Sequence, residues 1–132
     1  CEYNAIINNE TPLTIPYDEN FIRNDSHFSN LYWGANLKAY DVLLSNKGYV
    51  YVGSNSQNSN AFFVKKKLVE KYLSKLLVNS DAESSTFRES RDSKGNLNFI
   101  RGEGRLSVIK ELNLFDLNTN STKKIKDIFT VQ

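Results

Sequence analysis

The chain has no methionine, and its 132 residues include one cysteine and one histidine. A single thiol excludes an internal disulfide bond and any metal site built from several cysteines. A metal site needs three or four ligands of compatible type, so with one His and one Cys only a carboxylate site remains. No acidic EF-hand loop occurs. The sequence therefore predicts no metal ion and no other cofactor.

Long apolar runs and a strong charge imbalance are also missing. No window approaches the roughly 18 consecutive apolar residues of a membrane-spanning helix, and no signal-peptide pattern is present. The net charge is +2 and the isoelectric point is about 8.6, whereas nucleic-acid binders usually carry a more focused basic excess. We expect no nucleic-acid partner. Aromatic residues make up 12% of the chain, which indicates a folded domain.

Catalytic motifs are absent as well. His27, the only histidine, lies beside Asp25 and Ser26 in a polar stretch, where we expect a surface residue. The stretch "RGEGR" at 101–105 lacks the glycine and lysine spacing of nucleotide-binding loops. We therefore expect a binding or assembly module that is not an enzyme.

The only cysteine stands at position 1 and is followed by a polar, asparagine-rich arm. This start resembles that of mature bacterial lipoproteins, which are cut immediately before a cysteine. The resemblance implies that the Cys1 sulfur carries a diacylglycerol, and several acyl chains on one residue anchor a protein stably. Because Glu2 stands where aspartate would retain such a protein at the inner membrane, the resemblance implies the outer membrane, with the periplasmic side favoured.

Two alternative roles for Cys1 stay open. Cys1 could be the N-terminal nucleophile of a small envelope hydrolase, with its own α-amine as the base. It could also result from a cleavage that is unrelated to lipid attachment. The absence of methionine agrees with a processed or trimmed chain in all three cases.

Two regions are predicted, a tether over residues 1–30 and an α+β domain over residues 31–132. The tether holds both prolines, Pro12 and Pro16, and shows no sustained hydrophobic period. Proline prevents regular helix there. Several isoleucines in the same stretch indicate that the tether is partly docked on the domain.

The first half of the domain predicts two helices and a strand. Apolar residues at helical spacing predict a helix from about residue 35 to 45, which Gly48 ends, and "YVYV" at 49–52 predicts a strand. A second helix is predicted over 61–79. We expect its lysine run, 65–67, to be a solvated face; contact with phosphate or anionic lipid is the alternative.

From residue 84 the hydrophobic period changes to two, which predicts an antiparallel meander of about four strands. Its first hairpin turns at 92–96, and its later strands cover 102–117 and 123–131. In the 102–117 strand, Phe115 and Leu117 point away from the face that carries Leu112 and Leu114. We therefore predict two helices packed on one face of a mostly antiparallel sheet of about five strands.

Candidate partner-binding residues come from two places. Tyr32 and Trp33 lie where the tether meets the domain, and these residue types are enriched at binding hot spots. Arg88 and Arg91 lie on a charged edge strand that could accept a strand from a partner. We expect a protein partner in the cell envelope, by analogy in a secretion, conjugation or pilus assembly. An immunity protein that blocks a toxin or hydrolase, and a surface adhesin, are the alternatives.

Overall fold

A computed structural model describes residues 1–73, 89–102 and 104–129. The predicted α+β class is confirmed, since these residues form helices and two antiparallel sheets. The prediction of a single sheet with two helices is wrong. The strands divide into a sheet of three and a sheet of two, and each sheet covers its own hydrophobic cluster.

The three-stranded sheet joins the two ends of the chain. Its order is β1 (Leu13–Thr14), β4 (Asn113–Asp116) and β5 (Ser121–Lys124), all antiparallel. Leu13 lies opposite Asp116, and Thr14 lies opposite Phe115. The segment predicted as a tether thus supplies an edge strand to this sheet.

The two-stranded sheet pairs β2 (Tyr49–Ser54) with β3 (Ala61–Lys65), with a register shift between Tyr51 and Gly53. The strand β3 replaces the first part of the helix predicted over 61–79, so that prediction is wrong for these residues. Aromatic and β-branched side chains at 62–64 favour a strand once a partner strand is available.

Helical backbone follows β3 directly, as α3 (Lys66–Leu68) and then a π-helix (Val69–Leu73). The rest of the predicted helix, 74–79, lies outside the described residues.

The helix predicted at 35–45 is confirmed as α2 (Leu37–Ser45). The Asn36 side chain caps its first turn by accepting a hydrogen bond from the Ala39 N–H at 2.9 Å. Its C-terminal end turns at Gly48, which adopts a left-handed φ of 78°. A shorter helix, α1 (Arg23–Ser26), precedes it.

Two further helices stand where strands were predicted, α4 (Gly104–Ile109) and α5 (Ile125–Ile128). The prediction failed because the apolar residues of these stretches fit both periods. In α4 the buried residues are Arg105 and Ile109, which are four apart and therefore share one helix face. The predicted turn at 92–96 is present, closed by a 2.9 Å hydrogen bond from the Asp92 N–H to the Asn96 carbonyl.

Two hydrophobic clusters form the core. The larger lies between the three-stranded sheet and the helices α4 and α5; its buried members are Ile7, Leu13, Leu31, Ile109, Leu114 and Ile125. The smaller lies under the two-stranded sheet and contains Tyr3, Leu37, Tyr51 and Ala61. Residues from the first 13 positions contribute to both clusters.

The N-terminal segment is held by backbone pairing as well as by burial. The Ala61 N–H donates to the Cys1 carbonyl at 2.7 Å, and the Tyr3 N–H donates to the Ser59 carbonyl at 3.0 Å. Tyr3, Ile7 and Leu13 are completely buried or nearly so. The segment is therefore packed against the rest of the fold from its first residues onward.

Two buried asparagines donate hydrogen bonds to backbone carbonyls that have no partner within a regular helix or strand. The Asn4 Nδ2 donates to the carbonyls of Leu31 and Trp33, both at 3.0 Å. The Asn36 Nδ2 donates to the carbonyls of Asn8 and Thr11 at 2.5 and 2.7 Å. Both asparagines have no exposed surface. Because an unpaired buried carbonyl is costly, these amides allow the fold to bury a segment that lacks regular structure.

Candidate functional site

The outer face of the three-stranded sheet forms the floor of a groove. Successive residues of a strand point to opposite faces, so the face away from buried Leu13 and Leu114 carries Thr14, Phe115 and Leu117. An antiparallel sheet that covers a core on one face normally presents polar residues on the other. Here two of the three groove residues are apolar.

Two irregular segments form the walls of the groove. Beside β1, the Ile15 N–H donates to the Gly34 carbonyl at 2.9 Å, which places Trp33 along the groove. The segment after β1 forms the other wall, and its Tyr17 is 94% exposed. The groove has a volume of about 790 Å³, and its lining includes Ile15, Pro16, Tyr17, Phe21, Trp33 and Phe115.

Trp33 is fixed in place by its neighbours. The Arg23 guanidinium lies 4.6 Å from the centroid of the Trp33 ring. Its Nε and Nη2 both donate to the Asn30 carbonyl, at 3.0 and 2.9 Å. With Asn4 holding the Trp33 carbonyl, the ring is oriented before any ligand arrives, which lowers the entropy cost of binding.

The charged side chains at the groove leave it with an acidic rim. Glu2 and Asp18 both line the groove and are exposed. In the part of the chain that the structure describes, neither carboxylate forms an ion pair within 4.0 Å. Arg23 is already bonded to Asn30 and stacked on Trp33. The groove therefore offers two carboxylates to a ligand.

The predicted partner-binding residues are separated in the structure. Trp33 lines the groove, while Tyr32 packs against the larger core and donates to the Asn113 carbonyl at 2.6 Å. Burial raises the pKa of Tyr32. Arg91 lies at the 92–96 turn, where its Nη1 donates to the Gly95 carbonyl at 2.8 Å. Arg88 lies outside the described residues.

Sequence reasoning missed most of the groove, including Tyr17 and Phe21. One signal pointed to it, since the period of two had placed Phe115 and Leu117 together on the face away from Leu114. The irregular segment after β1 shows no hydrophobic period, so the sequence could not indicate that its residues line a groove.

Cys1 and His27, the two residues weighed for catalysis, lie in different settings. The Cys1 thiol is free and exposed. His27 is half-buried, its Nδ1 lies 2.7 Å from the Ser29 Oγ, and its burial lowers its pKa. The Ser29 hydroxyl is buried and accepts a hydrogen bond from the Leu31 N–H at 3.2 Å, so this pair holds the turn that leads to Trp33.

Within the described ranges, no cluster of three or more His, Cys, Asp or Glu side chains could hold a metal ion. No helix in those same ranges is long and apolar enough to cross a membrane. No protein family, curated protein or solved structure matches this chain. The fold and the groove thus define a small α+β domain with a preformed, aromatic-walled groove.

Proposed function

We propose that this protein is a binding module whose groove holds an extended segment of a partner protein. The observation that carries the proposal is the apolar outer face of the three-stranded sheet, where Phe115 and Leu117 line one groove together with Trp33 and Tyr17. Contiguous apolar surface rimmed by polar groups is typical of interaction sites. Trp and Tyr are also among the residues that contribute most at protein interfaces.

The acidic rim selects the chemistry of the partner. Glu2 and Asp18 are free to pair with a cation, so the fitting segment carries an apolar or aromatic side chain flanked by Lys or Arg. Complementary charge adds specificity to such an interface and speeds association. A toxin or hydrolase with a basic surface segment is one partner of this kind, which corresponds to the inhibitor alternative.

Trp33 is the only tryptophan in the chain, so its fluorescence reports occupancy of the groove. We expect a synthetic peptide with an aromatic residue between lysines to shift the Trp33 emission. The same peptide with glutamates in place of the lysines should bind less tightly. No shift with either peptide, or equal binding of both, would contradict the proposal.

Neutralising the rim in a double variant, Glu2→Gln with Asp18→Asn, should weaken binding of the lysine peptide about 2- to 30-fold, because exposed ion pairs contribute about 0.2–1 kcal/mol each. The amide oxygen introduced at position 18 can still accept the 2.9 Å hydrogen bond that Asp18 receives from the Asn20 N–H. The matched control is Glu10→Gln with Asp25→Asn, since both residues are exposed and lie outside the groove lining.

The apolar contact is tested by Tyr17→Ser. Tyr17 is almost fully exposed, so its loss leaves the fold intact while peptide affinity falls about tenfold. Tyr72→Ser removes a tyrosine ring that is 65% exposed and lies outside the groove lining, so it should leave peptide affinity unchanged. Equal effects of the two variants would argue against the groove.

We further propose that the module works in the bacterial envelope, attached through an acylated Cys1 to the periplasmic side of the outer membrane. The exposed Cys1 thiol supports this proposal because a modifying group fits there without repacking the core. The intact mass of protein taken from its native membrane should show the added acyl groups, and Cys1→Ser should remove them. An unmodified thiol in the soluble fraction would contradict it.

A further inference from the structure

We infer that a second surface binds the anionic face of a lipid bilayer. This surface, the basic ridge, consists of lysines 65–67 and Lys71 together with Leu68 and Tyr72. It is built from the end of β3, from α3 and from the π-helix that follows. It shares no residue with the lining of the groove.

Helical geometry places charge and apolar surface side by side on the ridge. Four residues are close to one turn both in α3 and in the π-helix that follows it, so Lys67 and Lys71 lie roughly in one row and Leu68 and Tyr72 in the next. The Lys71 Nζ lies 4.7 Å from the centroid of the Tyr72 ring, which shows that the two rows touch. Leu68 is 41% exposed and Tyr72 is 65% exposed.

The tertiary structure concentrates further positive charge beside the ridge. The Lys66 N–H donates to the Gly48 carbonyl at 2.9 Å, which brings Lys47 next to it. The two segments concerned, 47–52 and 61–73, contain five lysines, and their only acidic residue is Glu70. Across the described ranges, no ion pair within 4.0 Å engages any of these lysines. The charge is therefore available to an anionic partner.

The exposed apolar row identifies that partner as a membrane. Lysine stems can lie along an apolar surface while their ammonium groups reach phosphate. A short amphipathic helix with lysines beside Leu and aromatic side chains is typical of segments that lie in the bilayer interface. Single-stranded nucleic acid is bound by several aromatic platforms on which successive bases stack, whereas the basic ridge presents one exposed aromatic ring, that of Tyr72.

The position of the ridge also suits the predicted lipid attachment. Cys1 pairs with Ala61 at the first residue of β3, and the ridge begins at Lys65 at its last residue. Four residues of strand span about 13 Å at about 3.3 Å each, so one bilayer could contact both. Binding of the ridge to a bilayer does not require acylation of Cys1, so the test uses the chain without an attached acyl group.

The test is cosedimentation of the unacylated 132-residue chain with vesicles. We expect binding to vesicles in which about one third of the phosphatidylcholine is replaced by phosphatidylglycerol, and little binding to phosphatidylcholine alone. Because a juxtamembrane lysine contributes about fivefold to binding of an anionic surface, Lys66→Gln with Lys67→Gln should weaken it about 25-fold. Added salt should weaken it further.

The matched control is Lys94→Gln with Lys123→Gln, which removes the same charge from exposed positions outside the ridge. Equal loss of binding in both double variants would overturn the inference, because net charge alone would then explain the result. Equal binding to both vesicle types would also overturn it, as would tighter binding of a single-stranded RNA oligonucleotide. Tyr17→Ser should leave vesicle binding unchanged, which separates this surface from the groove.

Discussion

Replacing Asn36 by alanine is expected to lower the free energy of unfolding by about 2–6 kcal/mol, since two buried N–H groups lose their acceptor and each buried group left unpaired costs about 1–3 kcal/mol. The Asn36 side chain donates to two carbonyls of the N-terminal segment. It also accepts from the Leu13 N–H at 3.1 Å and from the Ala39 N–H at 2.9 Å. Alanine leaves all four groups without this partner. Urea denaturation followed by Trp33 fluorescence measures the loss.

The aspartate variant separates the two roles of Asn36. Aspartate is as good a helix cap as asparagine and would keep both acceptor contacts. It would, however, place a carboxylate oxygen against the carbonyls of Asn8 and Thr11. We expect Asn36→Asp to be at least as destabilising as alanine at neutral pH. Burial against two carbonyls should raise the pKa of the new carboxyl. The native contacts should therefore be partly restored at low pH, where the carboxyl is protonated, and lost again as the pH rises.

Asn24→Ala is the control for Asn36, because Asn24 is exposed on α1 and should change stability by less than about 0.5 kcal/mol. If Asn36→Asp left the free energy of unfolding unchanged at neutral pH, the proposed role of the two carbonyl contacts would be wrong. That result would show that capping of α2 alone, and not the tie to the N-terminal segment, explains the burial of Asn36.

Replacing Leu13 by alanine is expected to lower the free energy of unfolding by about 3 kcal/mol, within the range of about 2–5 kcal/mol for buried leucines. Leu13 has no exposed surface and packs with Leu114 and Ile125 in the larger core. The same denaturation experiment measures the effect. The expected loss is a direct measure of how firmly the N-terminal segment is docked.

The matched control for Leu13 is Leu43→Ala on α2. Leu43 is 51% exposed, and alanine has the higher helix propensity, so this change should be close to neutral. A loss below about 1 kcal/mol for Leu13→Ala would mean that β1 detaches easily from β4. The segment would then behave as the predicted tether.

Sequence patterns predicted those elements in which a local period and a local stop signal agree. The helix α2 has apolar residues at helical spacing and a stop at Gly48, so its bounds were predicted to within two residues. Its cap at Asn36 was not predicted. The strand β2 follows directly from its aromatic and β-branched residues. Trp33 was predicted to bind a partner from its type and position, and it lines the groove, although the groove itself was not predicted.

The secondary-structure predictions were wrong where the residues of one stretch are compatible with both a helix and a strand. The residues of β3 fit a helical face as well as a strand, and only pairing with β2 decides between them. In α4, Leu106 and Val108 are two apart, as in a strand, whereas Leu106 and Ile109 are three apart, as in a helix. Burial of both Arg105 and Ile109, which are four apart, selects the helix. Local propensity is weak at such positions, so tertiary packing overrides it.

The sequence by itself determined the α+β class, the helix α2, the strand β2 and the shared face of Phe115 and Leu117. Only the tertiary structure decided that β1 joins β4, that a groove opens beside Trp33 and that Lys47 lies next to the lysine run. The physical reason is that hydrophobic periodicity is a property of neighbouring residues. Burial of the polar N-terminal segment depends instead on carbonyls and amides far apart in the chain, which Asn4 and Asn36 bring together.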